Sequence, residues 1–205
     1  MSTQSDLAGT TRLEAFSDGV FAIAITLLVL ELHVPEVEPG ERLWPALVKE
    51  WPQFGAYLTS FTIIGIMWIN HHSMFRQIQR ADRGLMFLNL SLLLWTALLP
   101  FPTNLFAEYL QDHTIDAHVA AAVYSANLTL AAVAFSAIWW HVLRKHLVDH
   151  EMTRSEQRTS VLRYSIGTVI YAATIGLSFV SAPLTLLVQF LLAVYYGFEQ
   201  LRTRS

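Results

Sequence analysis

"TRLEAFSDGVFAIAITLLVLEL", residues 11–32, is the stretch on which the reading of the whole chain turns. It places Arg12, Glu14 and Asp18 at the head of a run that carries no further charge until Glu31. From Arg12 to Leu32 there are 21 residues, about 31 Å as an α-helix, which matches a hydrocarbon core ~30 Å thick. Thr11 and Glu14 fit a capping box, with Thr11 as the N-cap and Glu14 reaching back to it, which predicts a helix start. Asp18 lies about 9 Å along the axis from Arg12. An ionisable group inside a span is costly and usually faces a bundle interior or a water-filled path. Arg12 or a neighbouring histidine is the partner that would lock it. Ile23, Leu27 and Leu30 are spaced i, i+4, i+7 and share a helix face, which extends back through Val20 and Phe16. In a span that is apolar all round such a row is ordinarily packing, and periodicity alone does not separate packing from lining.

The composition agrees with a bilayer as solvent. The chain of 205 residues is 54% hydrophobic and 14% charged, with a mean hydropathy of +0.41, whereas soluble domains average about 25% charged. A net charge of −3 leaves no basic footprint for nucleic acid. The absence of cysteine excludes disulfides and thiolate-bound zinc. The first ten residues lack the basic region of a signal peptide, so the first apolar run is expected to be retained.

Charge-free runs mark further spans: Trp51–Phe75, residues 84–107 and residues 117–143. Residues 164–198 form a longer one, about 52 Å as helix and too long for one crossing. "SAPL" at 181–184 interrupts it, because proline disfavours helix in the residue before it. The expectation is an all-α membrane protein, one domain over 1–205, with six spans near 12–32, 51–75, 84–107, 117–143, 160–181 and 183–201. With both termini on the inner, cytoplasmic side, only Arg42 and Lys49 of the basic residues fall outside, as the positive-inside rule requires. Glu31, Glu36, Glu38, Glu41, Glu50, Glu108, Asp112 and Asp116 then make the outer side acidic. That either concentrates cations or merely reflects topology. No internal repeat or low-complexity tract is evident.

Arg12, Phe16, Ser17 and Asp18 form the pattern R-x-x-x-F-S-D. Together with "WINHH" at 68–72, they make the chain resemble the transmembrane protein 175 family of potassium channels over essentially its whole length. Animal members carry two six-helix units and work in endosomes and lysosomes. Single-unit prokaryotic members, which this chain resembles, assemble as tetramers. The resemblance implies a homotetramer in the cell membrane around a central pore lined by the first helix, with K+ as permeant ion and no cofactor. It implies selectivity from rings of large apolar side chains at Ile23, Leu27 and Leu30 in place of a carbonyl filter. It also implies that Arg12, Phe16, Ser17 and Asp18, with Trp68, His71 and His72, brace the first helix. Asp18 would pair with Arg12, His71 or Trp68, and its charge would favour cations at the inner mouth. A hydrophobic ring closes a pore by dewetting. Opened just wide enough for a partly hydrated ion, it passes potassium ahead of sodium, because the larger ion sheds water more cheaply. Thr26 lies one residue off the row; its hydroxyl either hydrates an ion there or bonds back to its own helix.

Two other function classes are weighed against this. His71, His72, His141, His146 and His150 gather toward the inner side, and His146 and His150 stand at i, i+4, which suits iron. Membrane iron oxygenases, however, carry more histidines, in H-x-x-H-H boxes absent here. A small proton- or cation-coupled secondary transporter would need a midplane site between related halves with broken helices. Pro100 and Pro102 break the third span, but no second half mirrors them. Trp139 and Trp140 read as interfacial anchors. Asn70, Asn89 and Asn127 read as bonds between helices, and Ala172 and Gly176 as a small-x-x-x-small contact.

Overall fold

The computed structural model describes residues 9–37, 39–111, 114–148 and 154–202; Glu38, Asp112 and His150 lie outside them. Among the described residues eight α-helices follow one another: α1 (Thr11–Leu27), α2 (Leu43–Lys49), α3 (Trp51–Phe75), α4 (Arg83–Leu98), α5 (Pro100–Tyr109), α6 (Ile115–Arg144), α7 (Arg154–Ser178) and α8 (Ala182–Arg202). A 3-10 turn, Leu28–Glu31, extends α1. Among the described residues, four stretches are long and apolar enough to cross a membrane: Thr11–Glu31, Arg83–Tyr109, Ile115–Arg144 and Thr159–Ser178. Ala182–Tyr196 is a shorter apolar helix. α3 carries no charge over its 25 residues; its Thr, Asn and His residues dilute its hydropathy.

α1 packs on α3 and α4, α6 on α4, α5 and α7, and α8 on α3 and α7. The shared core holds Phe75, Leu85, Leu92, Phe106, Tyr124 and Trp139, all buried. Polar side chains tie the helices within it, since lipid offers no alternative partner. The Ser60 hydroxyl lies 2.8 Å from those of both Thr103 and Tyr124, knotting α3, α5 and α6. Gln189 Nε2 donates to Ser125 Oγ at 2.8 Å and Thr174 Oγ1 at 3.1 Å, joining α8 to α6 and α7.

The third apolar run is kinked where its prolines lack N–H groups. The Leu99 N–H turns to the Thr96 carbonyl three residues back, at 3.3 Å. The Trp95 carbonyl then accepts from Asn127 Nδ2 of α6 at 3.0 Å. A neighbouring helix thus satisfies the backbone group that the kink frees.

The loops that follow α3 and α6 are pinned together. Asp82 caps α4, its Oδ1 accepting from the Leu85 N–H at 2.7 Å, and His141 Nε2 of α6 sits 2.9 and 3.0 Å from the two Asp82 oxygens. Partial burial pushes the Asp82 carboxyl up, but the Leu85 N–H and His141 outweigh it and hold it below the usual carboxylate range. Its stabilising contribution is therefore complete above pH ~4 and lost as pH falls through the lowered value. A Cβ on Gly84 would come within 2.5 Å of His141 Cε1. Gly84→Ala is accordingly expected to displace the ring and lower stability by about 1–3 kcal/mol. In a His141→Ala background the same change should cost almost nothing, a difference that thermal unfolding of the four proteins would read.

α6 ends in a Schellman motif: Leu147 N–H bonds the Val142 carbonyl at 3.0 Å and His146 N–H the Leu143 carbonyl at 3.3 Å. His146 there adopts φ +51°, a left-handed conformation that glycine takes more readily. His146→Gly is expected to raise stability by about 0.5–1 kcal/mol, visible as a higher Tm; an unchanged or lower Tm would show that the histidine makes a compensating contact. The turn also carries Gln79 N–H to the Leu147 carbonyl at 2.9 Å, beside a bridge between Ile78 and Val148.

Three local readings of the sequence are corrected. Thr10, not Thr11, flanks α1, and no side chain caps it: Glu14 N–H bonds the Thr10 carbonyl at 2.9 Å, so Thr11 is already helical. Trp139 is core and donates to Ser160 Oγ at 3.0 Å; only Trp140 is exposed, with Arg144 over its ring. Ala172 and Gly176 are exposed and make no close helix contact within the chain.

Candidate pore helix and its braces

α1 has two faces of different fate. Ser17, Phe21, Ala24 and Leu28, at i, i+4, i+7 and i+11, are buried, the first three in the helix that packs on α3 and α4 and Leu28 in the turn that packs on α3 and α5. Ile23 is 61% exposed, Leu27 40% and Leu30 71%, so the large apolar side chains of the other face touch little of their own chain. Phe16 is also exposed. The row continues past the α-helix: from Leu28 the backbone tightens to a 3-10 turn, with about three residues per turn and side chains at i and i+3 eclipsed, which sets Leu30 over Leu27. Thr26 Oγ1 bonds back to the carbonyls of Ala22 at 3.0 Å and Ile23 at 2.9 Å. That spends its proton on its own helix and leaves only an acceptor oxygen outward.

The motif residues separate into two networks. Inside, the Ser17 hydroxyl donates to the Leu13 carbonyl at 2.8 Å and accepts from Asn89 Nδ2 at 2.9 Å. Asn89 Oδ1 lies 2.9 Å from His71 Nε2, which with this amide orientation carries the proton and donates. The His71 ring stacks on Phe75 at 4.1 Å and tilts against Phe21 at 5.4 Å. Ser17, His71 and Asn89 are all buried, so one hydrogen-bonded chain clamps α1 to α3 and α4. Outside, Trp68 Nε1–H donates to Asp18 Oδ1 at 2.8 Å, and His72 stacks on Trp68 at 6.3 Å. Asp18, Trp68 and His72 are all exposed on the single chain.

Asp18 is thus held by Trp68 and is not enclosed in the helical bundle of its own chain. Arg12 does not neutralise it: no ion pair between the two stands among the described residues. Asn89 is the member that the sequence motif left out. Its signal was an amide within an otherwise apolar helix, which marks a contact between helices without naming the partners. His141 and His146 serve the loops that follow α3 and α6 and do not join His71.

The bundle and its exposed apolar helix define a multi-pass membrane protein. Residues 12–100 match the family described as the endosomal/lysosomal potassium channel TMEM175. A potassium channel of Streptomyces collinus is 52% identical over 190 residues, covering 92% of each chain. One of Chamaesiphon minutus is 42% identical over 191 residues, covering 92% of this chain and 93% of the relative. The crystal structure of a lysosomal potassium-selective channel TMEM175 homolog from Chamaesiphon minutus superposes with a TM-score of 0.82 at 41% identity, covering 93% of this chain and 97% of that one. The chain belongs to the TMEM175 family.

Proposed function

We propose that this chain is a subunit of a homotetrameric, potassium-selective channel of the cell membrane, with α1 of each copy lining a central pore. Residues 1–205 form one domain of six spans: the five apolar stretches of the fold, together with α3. Both termini lie on the cytoplasmic side. Ile23, Leu27 and Leu30 form the apolar constriction, and the Thr26 oxygen faces the ion path. Ser17 and His71 brace α1 within each copy; Arg12, Phe16, Asp18, Trp68 and His72 stand on its exposed side, where neighbouring copies meet and where the Asp18 charge favours cations. Potassium is the permeant ion and no cofactor is needed.

The observation that carries this reading is the apolar row of α1, left uncovered by its own chain beside a face that is fully packed. The potassium-channel relatives support the choice of ion. Flux into liposomes holding the purified protein tests it. Potassium is expected to enter well ahead of sodium, at rates no carrier cycle reaches. If neither ion moves, or if flux saturates at carrier rates, the channel reading fails.

A further inference from the structure

α3, α6, α7 and α8 leave between them a groove of about 640 Å³, within the ~300–1,000 Å³ typical of sites for small organic ligands. Its lining runs along α7 from Thr159 to Tyr171, about 18 Å of helix, or a little over half of a hydrocarbon core ~30 Å thick. Asn70 near the end of α3 and Thr159 near the start of α7 form one end; Ile63, Leu128 and Ile170 form the other. On the proposed topology the polar end lies at the inner surface and the apolar end reaches the midplane. In sequence, the first three turns of α7 carry Arg154, Arg158 and Arg163 against Glu156, and the end of α6 carries Arg144 and Lys145. A phospholipid of the inner leaflet presents the same polarity in the same order: a headgroup at the surface, then an acyl chain about half the core in length.

The groove also opens on the side that copies do not need. α1 packs on α3 and α4, whereas α7 packs on α6 and α8, so a tetramer built through α1 leaves the groove facing lipid. Small residues keep it open: a Cβ on Gly167, which lines it, would meet nothing within 4 Å.

We propose that this groove binds one anionic phospholipid of the inner leaflet, its acyl chain along Ile63, Leu128 and Ile170 and its headgroup by Asn70 and Thr159, at the arginine-rich start of α7. The leaflet assignment rests on the topology proposed above, but binding is read without ion flux, so the two readings can fail separately. The test is native mass spectrometry of delipidated full-length protein titrated with phosphatidylglycerol or with phosphatidylcholine of identical acyl chains. Gly167→Leu and Ala132→Leu fill the groove; Gly176→Leu makes the same change on the exposed outer half of α7, where a Cβ also meets nothing. Wild type and Gly176→Leu are expected to retain one phosphatidylglycerol per chain, and the two groove variants to bind it at least ten-fold more weakly. Equal retention by all four proteins overturns the proposal. So does phosphatidylcholine binding as tightly as phosphatidylglycerol, or a changed number of copies in Gly167→Leu, which would make the groove a contact between chains.

Discussion

Ile23→Asn is expected to reduce the preference for potassium over sodium by roughly ten-fold or more, equivalent to ~1.4 kcal/mol in the difference between the two barriers. An isoleucine ring offers an ion no replacement for the water it sheds, so passage favours the ion that sheds water more cheaply. An asparagine amide supplies both donor and acceptor at the narrowest point and rehydrates either ion, so the advantage of potassium fades. Leu27→Asn should act in the same direction, since Leu27 is on the same α-helical face. Leu30→Asn should act in the same direction, because the 3-10 turn from Leu28 sets it over Leu27. Flux of the two ions into liposomes, variant beside wild type, reads the ratio directly. A ratio unchanged by Ile23→Asn and Leu27→Asn together would remove these side chains as the selectivity determinant.

Asn89→Leu is expected to lower stability by about 2 kcal/mol, the larger of two possible scales. Hydrogen bonds between membrane helices average only ~0.6 kcal/mol, because partners can often be replaced. Here replacement is blocked on one side. Ser17 keeps its bond to the Leu13 carbonyl, but His71 Nε2, in a residue 1% exposed, loses its acceptor within a packed site. The full desolvation penalty of an orphaned donor therefore applies. Trp68→Phe removes an exposed bond to Asp18 instead, and is expected to shift stability by less than ~1 kcal/mol. Thermal unfolding of the purified proteins compares them. If Trp68→Phe lowered Tm as far as Asn89→Leu, the division of the motif into a buried clamp and an outward-facing pair would be wrong.

Much of this architecture is legible in the chain without coordinates. Charge-free runs of bilayer length determine helices and medium together, because a backbone in lipid must satisfy itself. The R-x-x-x-F-S-D pattern with the tryptophan–histidine stretch identifies the family, since those residues sit at fixed places in one helix pair. What the pattern cannot carry is direction. Ser17 and Asp18 are adjacent in sequence yet lie about 100° apart around α1, so one is clamped inside and the other faces out. His71 and His72 part in the same way. Trp139 and Trp140 part again, and a single-residue rotation makes one of them core. Asn89 joins the clamp only because α4 packs on α1, a contact across 72 residues of sequence. The sequence by itself determined where helices form, in what solvent, and to which family they belong, all consequences of composition and local spacing. The tertiary structure alone decided which face of each helix is packed and which is left for lipid, ion or a second copy, because that depends on rotation about the helix axis and on partners distant in the chain.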